Sequence, residues 1–180
     1  MTTSSRPTTT HVLIRMLQEH DLPALEWDGE YRHYRQVFRA NYEDMRRGQR
    51  LMLVAVREAE MIGQVFVQLN SAERQYADGC GRAYLYALRV RPAWRGRGIG
   101  RNLVTAAEDQ LRQRGFTIAV IAVAKTNERA QRLYQRLGYR VFSEDPGIWV
   151  FTDADGRQQR VEEPAWLLEK QLAGASPREA

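Results

Sequence analysis

Cysteine is almost absent. The 180 residues hold one, Cys80, set between Gly79 and Gly81. A single thiol builds no internal disulfide framework. No histidine lies near it in sequence to activate it, so Cys80 reads as a spectator and not a nucleophile. The three histidines, His11, His20 and His33, lack metal-ligand spacing, and no metal is expected. Lysine is nearly missing too: of 27 basic residues, all but Lys125 and Lys170 are arginine. No apolar run approaches the ~18 residues of a membrane span, so no membrane association is expected. Residues 1–10 are rich in Ser and Thr and carry no apolar signal core. They are expected to be a disordered tail, with 173–180 a polar tail, 11–172 a single domain and the protein cytoplasmic. The net charge of +5 raises nucleic acid as a partner. The arginines, however, are spread along the whole chain and no nucleic-acid motif accompanies them. An anionic cofactor explains the charge as well, and no nucleic-acid partner is expected.

What is present is a run of short strand and helix patterns. Val12, Ile14 and Met16 alternate as in a first strand. Asp21 before Leu22-Pro23 marks a helix start, and Tyr31, Tyr34, Phe38, Tyr42 and Met45 fall at helical spacing between Glu30 and Arg47. Residues 51–57 and 61–70 read as strands joined by Glu58-Ala59-Glu60, an antiparallel hairpin. Strand 82–90, helix 98–114, strand 117–123, helix 127–137 and strand 139–143 follow, with Gly115 and Gly138 as helix stops. Residues 148–152 and 158–162 flank Asp155-Gly156, a hairpin turn, and 166–172 is a candidate last strand that would close the sheet at its edge. Strands paired first, then alternating with helices, describe an α+β layered fold on a mixed, mostly antiparallel sheet of six to seven strands.

Residues 84–103 limit the function most. An apolar strand ends at Val90 and Pro92, a loop alternates Arg95, Gly96, Arg97, Gly98, and a helix opens at Ile99-Gly100-Arg101. Glycines let backbone N–H groups turn toward a ligand, and the positive helix end points at the same spot. That chemistry suits a pyrophosphate. The Rossmann spacing Gly-x-Gly-x-x-Gly is not met, and no Gly-Lys-Ser/Thr closes a P-loop. What remains is Arg-x-x-Gly-x-Gly (Arg95, Gly98, Gly100) after Val-x-Pro. A second block adds a β-branched strand, 117–123, then Asn127, the stripe Ala130/Leu133/Tyr134/Leu137, and Leu137-Gly138-Tyr139.

In these two blocks, residues 84–142, the chain resembles the GNAT superfamily of acyl-CoA-dependent N-acetyltransferases. The resemblance implies transfer of an acetyl group from acetyl-CoA to a primary amine, by direct transfer in a ternary complex. It implies a fourth and fifth strand splayed apart at a bulge, with the cofactor arm in the gap. Arg95, Gly96, Arg97, Gly98, Ile99, Gly100 and Arg101 would hold the phosphates. The main chain of Leu88, Arg89 and Val90 would meet the thioester arm. Asn127 would contact the arm, cap its helix, or do both.

From spacing alone Tyr134 reads as a core tyrosine; the resemblance implies that it protonates the departing thiolate, near an ordinary tyrosine pKa of about 10. Many family members carry a Glu on the fourth strand as base. Here the matching stretch, Arg82-Ala83-Tyr84-Leu85-Tyr86, holds none. The base is sought at Asp28 or Glu30, or at Tyr84 or Tyr86 through water. By family geometry the acceptor would lie among Trp27, Asp28, Glu30, Tyr31, Tyr84, Tyr86 and Trp149. Aromatics beside acids suit a cationic amine. A small amine is favoured over a peptide or protein amine. A non-catalytic acyl-CoA sensor on the same fold is the alternative, and a homodimer is left open.

Overall fold

The computed structural model describes residues 11–172; the two expected tails, 1–10 and 173–180, lie outside the described residues. Nine strands and three α-helices follow one another: β1 Leu13–Met16, α1 Arg35–Arg46, β2 Arg50–Arg57, β3 Glu60–Gln68, β4 Arg82–Val90, α2 Ile99–Gln113, β5 Ile118–Ala124, α3 Glu128–Arg136, β6 Arg140–Asp145, β7 Ile148–Thr152, β8 Gln158–Glu162 and β9 Ala165–Gln171. Seven strands form one sheet in the order β1-β2-β3-β4-β5-β9-β6, and β7 and β8 pair as a separate hairpin. Only β4 and β5 run parallel; the remaining pairs are antiparallel. The fold is the expected α+β class.

The hydrophobic period builds two cores. β2 and β3 are buried on both faces, because helices cover both. Leu53, Val65, Leu85 and Ile121 pack beneath Leu103 and Leu111 of α2. On the opposite face Met52, Val54 and Phe66 pack against Phe38 of α1. Period-2 alternation along each strand delivers side chains to the two faces in turn.

Three expectations needed correction. The helix start at Asp21 opens a 3-10 helix, Glu19–Glu26, with Pro23 inside it. Asp21 accepts the Gln18 N–H at 2.8 Å and holds Arg15 at 2.6 Å. The helix expected from Glu30 begins as α-helix only at Arg35. Trp27, Asp28 and Gly29 take positive φ (46°, 59° and 99°), which breaks the backbone ahead of it. The last strand does not close an edge: β9 inserts between β5 and β6. Local pattern carries no information about such a non-local pairing.

One polar network ties the layers. Glu108 of α2 is 2% exposed. It accepts Lys170 Nζ of β9 at 2.7 and 2.9 Å, the Tyr139 hydroxyl at 2.9 Å and Arg112 at 3.2 Å. Glu108→Ala leaves a lysine and a tyrosine without their acceptor. It is expected to lower unfolding free energy by roughly 2–4 kcal/mol, read as an earlier urea midpoint with unchanged slope. A loss under ~0.5 kcal/mol would show that the network does not stabilise the fold.

Candidate active site

The site begins with a break in the sheet. Phe66 of β3 faces Tyr86, but Gln64 faces Arg89, so one residue of β3, Val65, stands against two of β4, Ala87 and Leu88. This is a β-bulge, and Ala87 within it takes φ of 51°. β4 pairs with β5 only from Arg82/Ile118 to Leu85/Ile121, while β5 continues along β9 to Ala124. Beyond Leu85 the two parallel strands therefore part, and the gap opens between their C-terminal ends. This is the expected splay.

On the α2 side the arginine-glycine loop reaches this gap. Gly96 and Gly98 take φ of 75° and 79°, and a Cβ on either would meet nothing within 4 Å. Gly98 is the N-cap of α2, with no side-chain cap on the helix start. Left-handed glycines and uncapped first-turn amides leave donors for an anion. Gly100 differs: a Cβ there would make ordinary contact with Leu133 and Val90 at 3.7 Å. The arginines also differ. Arg95 donates Nε to the Val90 carbonyl at 2.9 Å and ties the loop to β4. Arg97 lies over the Trp94 ring at 4.9 Å, and Arg57 lies over the same ring at 4.7 Å. Arg101 is exposed. Leu88 and Val90 pack on the core, and Ile99 is buried in it, so only their main chain is available to a ligand.

α3 brings Tyr134 beside the gap. Asn127 caps this helix, accepting the Ala130 N–H at 3.1 Å. Gln131 donates to the Ala124 and Lys125 carbonyls at 3.1 and 2.9 Å and locks α3 to the end of β5. Tyr134 is buried, edge-on to Tyr139 at 6.0 Å. Burial pushes its pKa up from the ordinary tyrosine value, which corrects the expectation of a near-normal one. The hydroxyl stays protonated across the working pH range. It makes no hydrogen bond among the described residues.

On the α1 side lies a cavity of about 550 Å³. Tyr84, Tyr86 and Trp149 line it, as expected for the acceptor. The Tyr84 and Tyr86 rings stack at 5.6 Å. Burial pushes the Tyr86 hydroxyl up to about 12, with Arg50 opposing. Burial raises Tyr84 as well, and Tyr84 is close enough to Tyr134 to feel its charge state. Neither phenol ionises near neutral pH, so neither is a base by itself. Trp27, Asp28 and Glu30 are not brought to the cavity. The left-handed turn buries Trp27 and directs Asp28 to Arg91 at 3.0 Å, while Glu30 is exposed. Tyr31 stands behind the wall, stacked against Tyr34 at 6.4 Å.

The structure adds residues that sequence reasoning missed. Arg50 reaches in from β2, donating to the Tyr86 hydroxyl at 2.7 Å and to Asp44 at 2.9 Å. Three carboxylates, Glu73, Asp145 and Glu163, line the wall formed by the loop before β4 and by the flanks of β6 and β9. Tyr76 donates its hydroxyl to Asp145 and packs on Tyr84 at 4.8 Å. Trp149 and Phe151 of the late hairpin stack on each other at 5.1 Å and on Tyr34 at 5.9 and 4.8 Å. No spacing signals Asp145 or Glu163; they meet because β9 inserts beside β6.

A glycine loop at an uncapped helix start, a splayed parallel pair and a cavity on the other face of the sheet describe one arrangement. The model of the acetyltransferase (GNAT) family matches residues 14–139. The chain belongs to the GNAT acetyltransferase family. The ribosomal-protein-S18-alanine N-acetyltransferase from Escherichia coli superposes with a TM-score of 0.68 at 21% identity, over 94% of this chain and 99% of that one. NAA60 of Arabidopsis thaliana in complex with acetyl-CoA gives 0.67 at 20% identity, over 90% and 99%. At these identities the structures show the fold alone. A mycothiol acetyltransferase from Propionibacterium freudenreichii subsp. shermanii is 37% identical over 70 residues, 39% of this chain but only 22% of that relative's length. Acetyl-CoA is the ligand in the plant structure, and the family matched by residues 14–139 is one of acetyltransferases. Among the described residues no group of His, Cys, Asp or Glu is placed to hold a metal ion. No helix among them is long and apolar enough to cross a membrane.

Proposed function

We propose that the protein acetylates a small primary amine by direct transfer from acetyl-CoA in a ternary complex. The supporting observation is the pair of sites on opposite faces of one sheet, joined where β4 and β5 part beyond Leu85 and Ile121. The phosphates would lie on the amides of Gly96 to Gly100 and the start of α2, where the left-handed glycines leave room. Acetyl-CoA supplies an activated thioester. The main chain of Leu88 to Val90 meets the arm, and the Tyr134 hydroxyl gives a proton to the departing sulfur.

The amine arrives as an ammonium and must lose a proton. With no carboxylate on β4, that role falls to Asp145, held by Tyr76, or to Glu163, both on the cavity wall. The cavity volume suits a ligand of small-molecule size, and the aromatic hairpin bounds it beside Tyr34. Thiol release from acetyl-CoA against a panel of amines tests this reading. Turnover with one or more small amines is expected. Release only with peptides or proteins would move the acceptor class, and binding of acetyl-CoA without release for any amine would favour a sensor.

A further inference from the structure

Arg89 follows the bulge on β4, on the strand face that carries Gln64 and Phe66. It lines the acceptor cavity. Its guanidinium lies 4.2 Å over the Tyr31 ring and 5.4 Å over the Tyr34 ring. It makes no hydrogen bond and no ion pair among the described residues, and Nη1 is buried without a partner. Burial presses its pKa downward, yet a guanidinium stays charged in a protein. A buried charge without a counter-ion is destabilising unless something supplies one. The other cavity arginine, Arg50, has both Asp44 and Tyr86; Arg89 is in contact with aromatic faces, and the one carboxylate in electrostatic reach, the exposed Glu30, forms no ion pair with it.

The neighbours of Arg89 share its condition. Among the described residues, the buried side-chain atoms lacking any partner belong to Arg89, Gln64 and Trp27 alone. They are contiguous. Gln64, fully buried, faces Arg89 across β3 and β4. Trp27 is edge-on to Tyr31 at 5.2 Å, and Tyr31 lies beneath Arg89. Three of the unmet atoms are donors, Arg89 Nη1, Gln64 Nε2 and Trp27 Nε1, and one is an acceptor, Gln64 Oε1; of the three residues Arg89 alone lines the cavity, and a cation there with an unmet donor is the chemistry of an anion site. The phosphates of acetyl-CoA are not that anion. Their loop leads into α2, which packs on the sheet face of Leu85 and Ile121, whereas Arg89 lies on the face of Gln64 and Phe66.

Resting on the acetyltransferase reading above, we infer that Arg89 binds a carboxylate carried by the acceptor, so that the acceptor is a zwitterionic amine of amino-acid type. The rest of the lining completes the match. Glu73, Asp145 and Glu163 line the same cavity, and Tyr34 feels both Arg89 and Glu163. The acidic side chains would take the ammonium and Arg89 the carboxylate. Three carboxylates in the lining weigh against a doubly charged phosphate in the same volume.

The test uses matched acceptors: an amino acid, its amide and its decarboxylated amine, for example phenylalanine, phenylalaninamide and phenethylamine, with aliphatic sets beside them. For wild type, kcat/KM by thiol release should favour the acid over its amide by about ten- to a hundredfold. In Arg89→Met that ratio should collapse toward unity, and in Arg89→Lys a part of it should persist. Each variant is first checked for its acetyl-CoA thermal shift, which reports an intact fold. No preference for the acid in wild type, or the same preference in Arg89→Met, would overturn the inference. If no amine is turned over, the acetyltransferase reading has failed separately. Binding then decides: with CoA present, N-acetyl amino acids should raise the melting temperature of wild type more than their amides do, and Arg89→Met should lose the difference. A wild type that does not distinguish acid from amide would sink the carboxylate site by that route too.

Discussion

Tyr134→Phe is expected to lower kcat by roughly 10²- to 10⁴-fold while leaving acetyl-CoA binding nearly as it was. The ring is buried against Tyr139, and Phe keeps that packing. The hydroxyl bonds to no other group among the described residues, so removing it strands no partner, and the melting temperature should barely move. Burial holds the phenol protonated. A thiolate forming beside it in the same dry gap is the charge that draws the proton out. A purely structural tyrosine predicts the reverse: normal turnover, with any effect in stability. Steady-state rates on a true acceptor, with single-turnover rates to show that chemistry limits, separate the two. Wild-type turnover in Tyr134→Phe would remove Tyr134 from the mechanism.

The double variant Gly96→Val/Gly98→Val should abolish the thermal shift produced by acetyl-CoA. A ligand at about a hundred times its Kd stabilises by ~2.7 kcal/mol, about 5–10 °C for a chain of this size. Both glycines hold positive φ, and valine is strained there. Neither new Cβ would meet a neighbour within 4 Å, so the core is untouched and the loop alone is rebuilt. The apo protein should lose only ~1–2 kcal/mol per site. A full acetyl-CoA shift in the folded double variant would contradict the assignment of the loop.

Local chemistry made the cofactor side legible. Alternating Arg and Gly after Val90 and Pro92, then an amphipathic helix, leaves little else for residues 95–113 to build, and the structure places α2 there. Tyr134 and Asn127 were singled out by the family resemblance; spacing alone read Tyr134 as a core tyrosine, and the structure does bury it. The acceptor side was not legible. Its walls come from α1, β2, the loop before β4, and the ends of β6 and β9, and no local period says that β9 enters between β5 and β6. Asp145 and Glu163 therefore looked like any surface acids. Asp28 and Glu30 looked better placed, until the left-handed turn at Trp27 and Asp28 carried them away. Arg89 was read for its main chain alone, since only the fold shows that its Nη1 is buried without a partner.

The central claim is that one sheet carries a donor site and an acceptor site on opposite faces, joined between β4 and β5. A crystal structure with acetyl-CoA tests it most directly. The account predicts pyrophosphate on the Gly96–Gly100 amides, the arm in the gap beyond Leu85 and Ile121, and the acetyl group facing Tyr84 and Tyr86 with the Tyr134 hydroxyl beside the sulfur. Acetyl-CoA bound elsewhere, or bound at the loop with its acetyl group turned away from the α1-side cavity, would contradict it.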